Sequence, residues 1–108
     1  MDRRAAVADY KKHKTVAGIF ALRCSASGET WVGSALDIDK IFNRLAFSLG
    51  AGGWPRPGLQ KAWTTHGPEA FTFETLERLA ETPSAYLRDA ALKQRREFWR
   101  ATLGASPA

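Results

Sequence analysis

The sequence predicts a small mixed α/β (α+β) domain, a three-stranded antiparallel sheet flanked by helices, with an extra helix at the N-terminus. Three observations carry this. Two β-rich runs, Val16-Ala17-Gly18-Ile19-Phe20-Ala21-Leu22 and Thr30-Trp31-Val32-Gly33, are joined by the small polar stretch Ser25-Ala26-Ser27-Gly28, the pattern of a hairpin. Phe71-Thr72-Phe73-Glu74-Thr75-Leu76 alternates apolar and polar residues, as a half-buried third strand does. Segments 37–49 and 85–103 instead repeat their apolar residues at helical spacing. A hairpin plus one further strand gives a small, mainly antiparallel sheet whose apolar faces helices must cover.

Taken in order, residues 2–14 suit a helix, with Asp2 as N-cap, Ala5, Ala6 and Ala8 as helix formers, and Val7 and Tyr10 as a thin apolar edge. Its final cations Lys11, Lys12 and Lys14 complement the negative end of a helix dipole. Both hairpin strands contain a glycine, Gly18 and Gly33, which weakens a strand unless something must approach the backbone closely. Asp37 is an apt N-cap for a helix over 37–49, where Ile38, Ile41, Phe42, Leu45 and Leu49 form one stripe. The segment 50–58 holds four glycines and two prolines in nine residues, so it is a loop. A short helix over 59–66 stops at Gly67-Pro68, and the third strand spans 71–76. After Thr82-Pro83-Ser84 the last helix runs over 85–103 to Gly104, leaving Ala-Ser-Pro-Ala as a tail without regular structure. The expected organisation is one domain over 1–108: a helical extension 1–14, a core 15–104 and a tail 105–108.

Composition excludes several classes. With 44% hydrophobic and 11% aromatic residues the chain is too apolar for disorder, yet no apolar run approaches the ~20 residues of a membrane span. The N-terminal residues contain no hydrophobic signal segment, so a cytoplasmic location is expected. One cysteine, Cys24, cannot form an intrachain disulfide, and with His13 and His66 it makes no structural zinc set. The net charge is +5, from 16 basic and 11 acidic residues. Residues 88–100 hold five cations (Arg88, Lys93, Arg95, Arg96, Arg100) against Asp89 and Glu97, so much of the excess falls on the last helix.

The pairing of Gly18-Ile19-Phe20 with Trp31-Val32-Gly33, followed by Ser34 and a helix, resembles the GIY-YIG nuclease superfamily, with Phe and Trp standing where that family has tyrosines. Leu59-Gln60-Lys61-Ala62-Trp63, then His66-Gly67-Pro68-Glu69-Ala70-Phe71-Thr72-Phe73-Glu74-Thr75-Leu76-Glu77, and finally Glu97-Phe98-Trp99 resemble later blocks of the same family. The resemblance covers roughly residues 16–103. It implies phosphodiester hydrolysis with one divalent metal: a hairpin tyrosine helps to activate water, an arginine on the first following helix stabilises charge on phosphate, and a glutamate on the last helix binds the metal. Such chemistry needs a metal and a fixed cation to meet the charge that develops on the phosphoryl oxygens.

Residue by residue this chain departs from that pattern. Phe20 and Trp31 lack a phenolic hydroxyl and cannot act on water. The arginine position falls on Ile41 and the histidine one turn later on Leu45, both members of the apolar stripe. Arg44, three residues beyond Ile41, is the candidate substitute for the arginine. The metal-binding glutamate falls on Arg96, a charge reversal, and Glu97 is the nearest carboxylate, about 100° round the helix. Arg96 shares a stripe with Leu92, Trp99 and Leu103, so it points toward the sheet, where a cation holds phosphate and repels a metal.

Three functions stand. The first is a GIY-YIG endonuclease with a rearranged site, using Arg44 and Glu97 as catalytic residues and Mg²⁺ or Mn²⁺ on Glu97. The second is a non-catalytic scaffold, without a cofactor, that binds nucleic acid, DNA in the first instance, through Arg44, Arg96 and the neighbouring cations Lys61, Arg95 and Arg100. The third is a protein-interaction module that uses the Trp54-Pro55-Arg56-Pro57 loop. No membrane partner is expected, and a domain this small gains sequence recognition only as a homodimer or through a recruiting protein.

Overall fold

The computed structural model describes residues 15–80 and 84–108. The helix expected over 2–14 lies outside the described residues. In chain order the elements are β1 (Gly18–Cys24), β2 (Thr30–Ala35), α1 (Ile41–Gly50), α2 (Pro57–His66), a 3₁₀ turn (Pro68–Ala70), β3 (Phe71–Arg78), α3 (Ala85–Leu103) and β4 (Ser106–Pro107). The sheet order is β3-β1-β2-β4. β1 pairs antiparallel with both β2 and β3, while β4 runs parallel to β2.

The sheet therefore has four strands where three are expected. The additional strand comes from the tail: Ala105 is buried, Ser106 and Pro107 pair with Trp31 and Val32, and the Ala108 N–H donates to the Val32 carbonyl at 3.0 Å. Tail residues of low strand propensity are ordered by the free edge of β2, which offers backbone groups in need of partners.

β1 is the central strand, and its apolar residues divide between two cores. Phe20, Leu22 and Cys24 join Trp31, Leu45, Leu49, Leu59 and Trp63 beneath α1 and α2. Ile19 and Ala21 join Val32, Leu92 and Ala105 beneath α3, with Trp99 and Leu103 packed alongside. A strand covered on both faces reads as a near-continuous apolar run, which is why β1 shows no alternation in the sequence. β3, at the edge, keeps it.

The hairpin glycines have steric causes. A Cβ on Gly18 would stand inside contact range of the Glu77 carbonyl oxygen on β3, and a Cβ on Gly33 would lie 2.6 Å from Cζ of Phe20. The first α-helix begins at Ile41, with Lys40 rather than Asp37 at its N-cap, three residues later than expected. Ile38 is drawn out of the helix because its N–H donates to the Val16 carbonyl at 2.8 Å and its side chain is buried in the core. The helix over 59–66 starts two residues earlier, at Pro57, where proline suits the first turn. The last helix has the expected bounds, with the Ser84 side chain accepting from the Leu87 N–H at 3.1 Å and Gly104 closing it at φ 61°.

Candidate functional site

A cleft of about 440 Å³ lies beside the hairpin. It is lined by Phe20 and Gly33 of the hairpin, Ile41 of α1, Arg96, Glu97 and Arg100 of α3, and Pro107 and Ala108 of the tail. Trp54 and Arg56, from the loop ahead of α2, complete it.

The loop is fixed by Gln60 on the first turn of α2. Its Nε2 donates to the Leu49 carbonyl at 2.9 Å, and its Oε1 accepts from the Trp54 N–H at 3.1 Å. One amide thus joins the end of α1 to the loop, and Trp54 packs against the core. Arg56, exposed between Pro55 and Pro57, makes no ion pair among the described residues.

On α3, Arg96, Glu97 and Arg100 meet because residues three and four apart share a face. Arg100 forks onto Glu97, with Nε donating to Oε2 at 3.0 Å and Nη2 to Oε1 at 3.3 Å. The Arg96 Nε lies 3.9 Å from the same Oε2. The hydrogen bond from Arg100 holds the Glu97 carboxyl below its usual range, helped by the charges of Arg100, Arg96 and Lys93. Among the described residues, Glu97 is the one acidic side chain in the cleft lining, against three guanidinium groups.

The expected site residues separate. Arg96, Glu97 and Arg100 are brought together with Gly33, Phe20 and Val32 of the hairpin motif. Trp31 is not at the cleft: it is buried, its ring 5.9 Å from that of Phe71. Gly18 and Ile19 pack within the sheet, and Leu45 lies wholly in the core. Arg44 is exposed on α1 and is absent from the cleft lining. Lys61 lines a separate depression with Glu29, Thr65 and His66. Arg95 turns to β3, where its Nε donates to Glu77 Oε1 at 2.8 Å and its guanidinium carbon lies 4.3 Å from the centre of the Phe98 ring.

Arg56 and Trp54 belong to the cleft, whereas the sequence read Trp54 as a loop anchor and offered the loop as a protein-contact surface only as an alternative. The signal available for Arg56 was its place between two prolines, which stiffens a loop cation without revealing what it faces.

The donor set does not fit a divalent metal. Both oxygens of the one carboxylate are occupied by a guanidinium, a second guanidinium stands beside it, and the described residues contain no group of three His, Cys, Asp or Glu side chains that could hold an ion.

The element order and the cleft beside the first hairpin match a GIY-YIG-like fold, which the likeness to two solved structures supports. The chain superposes on the catalytic domain of the intron endonuclease I-TevI carrying a glutamate-to-alanine substitution, with a TM-score of 0.70 and 24% identity, covering 83% of this chain and 86% of that one. A second structure of the catalytic domain of homing endonuclease I-TevI gives a TM-score of 0.68 at 25% identity, covering 82% and 88%. No protein-family model and no curated protein matches the sequence.

Proposed function

We propose that this protein is a GIY-YIG-type scaffold that binds nucleic acid, DNA in the first instance, by holding backbone phosphate on Arg96, Arg100 and Arg56, and that the cleft does not perform metal-dependent cleavage. The observation that carries this reading is the charge of the cleft, three guanidinium groups against one carboxylate that is already paired. Guanidinium groups present planar pairs of N–H donors that match phosphate oxygens, and they keep their charge at any working pH. Phe20 and Ile41 add apolar surface to the cleft lining, and a less polar surrounding strengthens charge-assisted hydrogen bonds.

A role as a nuclease would require a water-activating group and a metal site. Phe20 offers no hydroxyl, and Glu97 is committed to Arg100. Arg44 and Lys61 would at most add charge at the periphery.

Fluorescence anisotropy of labelled DNA tests the binding. The expected affinity falls with salt, with a log–log slope of about −2 to −3 for two or three phosphate contacts. A plasmid-nicking assay with Mg²⁺ and Mn²⁺ tests the chemistry, and no nicking is expected. Nicking that Glu97→Ala abolishes would return the cleft to a metal-dependent hydrolase, and absence of binding at low salt would remove nucleic acid altogether.

A further inference from the structure

We propose that the cleft takes single-stranded DNA in preference to duplex, with an unpaired base stacked on the Trp54 indole beside the cations that hold phosphate. The inference rests on the proposed phosphate-binding role of the same cleft.

The chain has four tryptophans, and Trp54 differs from the other three. Trp31 and Trp63 are buried against the Phe71 ring, with centroids 5.9 and 4.9 Å apart. Trp99 meets Phe98 edge-on at 5.6 Å and donates its Nε1–H to Glu77 Oε1 at 2.9 Å. Trp54 has no aromatic ring against its own among the described residues. It is half-buried on the core, in a loop where Gly53 and Pro55 on either side are exposed. Its Nε1–H is sealed from solvent and meets no acceptor among the described residues.

A tryptophan at a surface ordinarily keeps its N–H in water or on an acceptor and buries its carbon. Trp54 does the reverse. With the N–H sealed, the indole can offer the cleft only carbon, at the cost of an unmet donor. Gln60 holds the backbone in this arrangement, its Oε1 accepting from the Trp54 N–H at 3.1 Å, so the indole is placed before a ligand arrives and binding has less to order.

Arg56, Arg96 and Arg100 line the same cleft. Aromatic carbon beside cations is what a single strand requires, because every base has a π face to stack and the phosphates on either side carry the charge. In a duplex both faces of an internal base are stacked on its neighbours, which leaves the cleft phosphate alone.

The experiment measures anisotropy with three labelled probes of equal length, a single strand, the same strand in a duplex, and a single strand of abasic sites. Phosphate contacts alone favour the duplex, whose charge density is higher. The wild type is expected instead to bind the single strand about tenfold more tightly than the abasic strand, and more tightly than the duplex. In Trp54→Leu the ratio of single to abasic strand should shrink to about twofold, while Trp54→Phe, which keeps a ring, should hold it above about fivefold. Urea denaturation checks that both variants fold, and the comparison of probes on the wild type does not depend on them. Equal wild-type affinities for single and abasic strands, a preference for duplex, or a ratio unchanged by Trp54→Leu would overturn stacking while leaving phosphate binding intact. Failure of the wild type to bind any probe would overturn both.

Discussion

Phe20 and Gly33, directly opposed on β1 and β2, share the space of one side chain: the Phe20 ring fills it, and a Cβ on Gly33 would lie 2.6 Å from Phe20 Cζ and 3.1 Å from the Ala108 Cβ. The ring is buried and stacks on Phe73 with centroids 5.4 Å apart, so it cannot withdraw freely. This part of the cleft lining is therefore fixed by a pair whose members are complementary in volume.

Gly33→Ala is expected to destabilise the protein by about 1–2 kcal/mol, because a packed ring must shift. Gly18→Ala is expected to cost more, about 3 kcal/mol, because the obstacle is the Glu77 backbone carbonyl of a paired strand. Urea denaturation of both variants checks the order. Equal costs would mean that the β1–β3 pairing yields as easily as a side chain.

Glu77 ties β3 to α3, accepting from Trp99 Nε1 at 2.9 Å and from Arg95 Nε at 2.8 Å. The hydrogen bond from Trp99, with the bond and charge of Arg95, lowers the carboxyl below its ordinary pKa. A carboxyl with a lowered folded-state pKa contributes stability that is present above its unfolded value, about 4.3, and is lost as pH falls through the folded value. Glu77→Gln should therefore be less stable than the wild type by about 1 kcal/mol at pH 7, with the difference shrinking as pH falls below the unfolded value. A difference independent of pH would assign the effect to shape instead of charge.

Arg100→Ala and Arg96→Ala should each weaken DNA binding and reduce the magnitude of the salt slope by about 1. Arg44→Ala and Lys61→Ala, away from the cleft lining, should change affinity by less than about twofold. Anisotropy at three or more salt concentrations separates the two classes. A larger loss with Arg44→Ala would place the phosphate path over α1.

Gln60→Leu removes both hydrogen bonds that join the loop to the end of α1. The Leu49 carbonyl and the Trp54 N–H then lose their partner, an expected loss of about 1–3 kcal/mol. Since the same amide positions the loop bearing Arg56, DNA affinity should fall even at temperatures where the variant is fully folded. Unchanged affinity with reduced stability would show that Arg56 needs no positioning.

The sheet and helices were legible because their signals are local. Two β-rich runs around Ser25-Ala26-Ser27-Gly28, the alternation of 71–76 and the capped stripe of 85–103 each depend on residues near in sequence, and the bounds of α3 follow from Ser84 and Gly104. Charge on the last helix was legible for the same reason, but the packing of α3 decided that Arg96, Glu97 and Arg100 line the cleft and Arg95 does not. The start of α1 was not, because Ile38 is claimed by Val16, which lies far from it in sequence. Nor was β4, whose residues have no strand preference and are ordered by the edge of β2.

By itself the sequence determined the class of the fold, the two glycines that the hairpin requires and the excess of cations on the last helix. Tertiary structure alone decided which cations line one cleft. Arg95, adjacent in sequence to Arg96, is held by Glu77 on β3, whereas Arg56, forty residues from Arg96, is carried to the same cleft by a loop that Gln60 holds. The reason is geometric: neighbouring residues on a helix diverge by about 100°, while a packed core brings together the ends of segments that composition and spacing treat as unrelated.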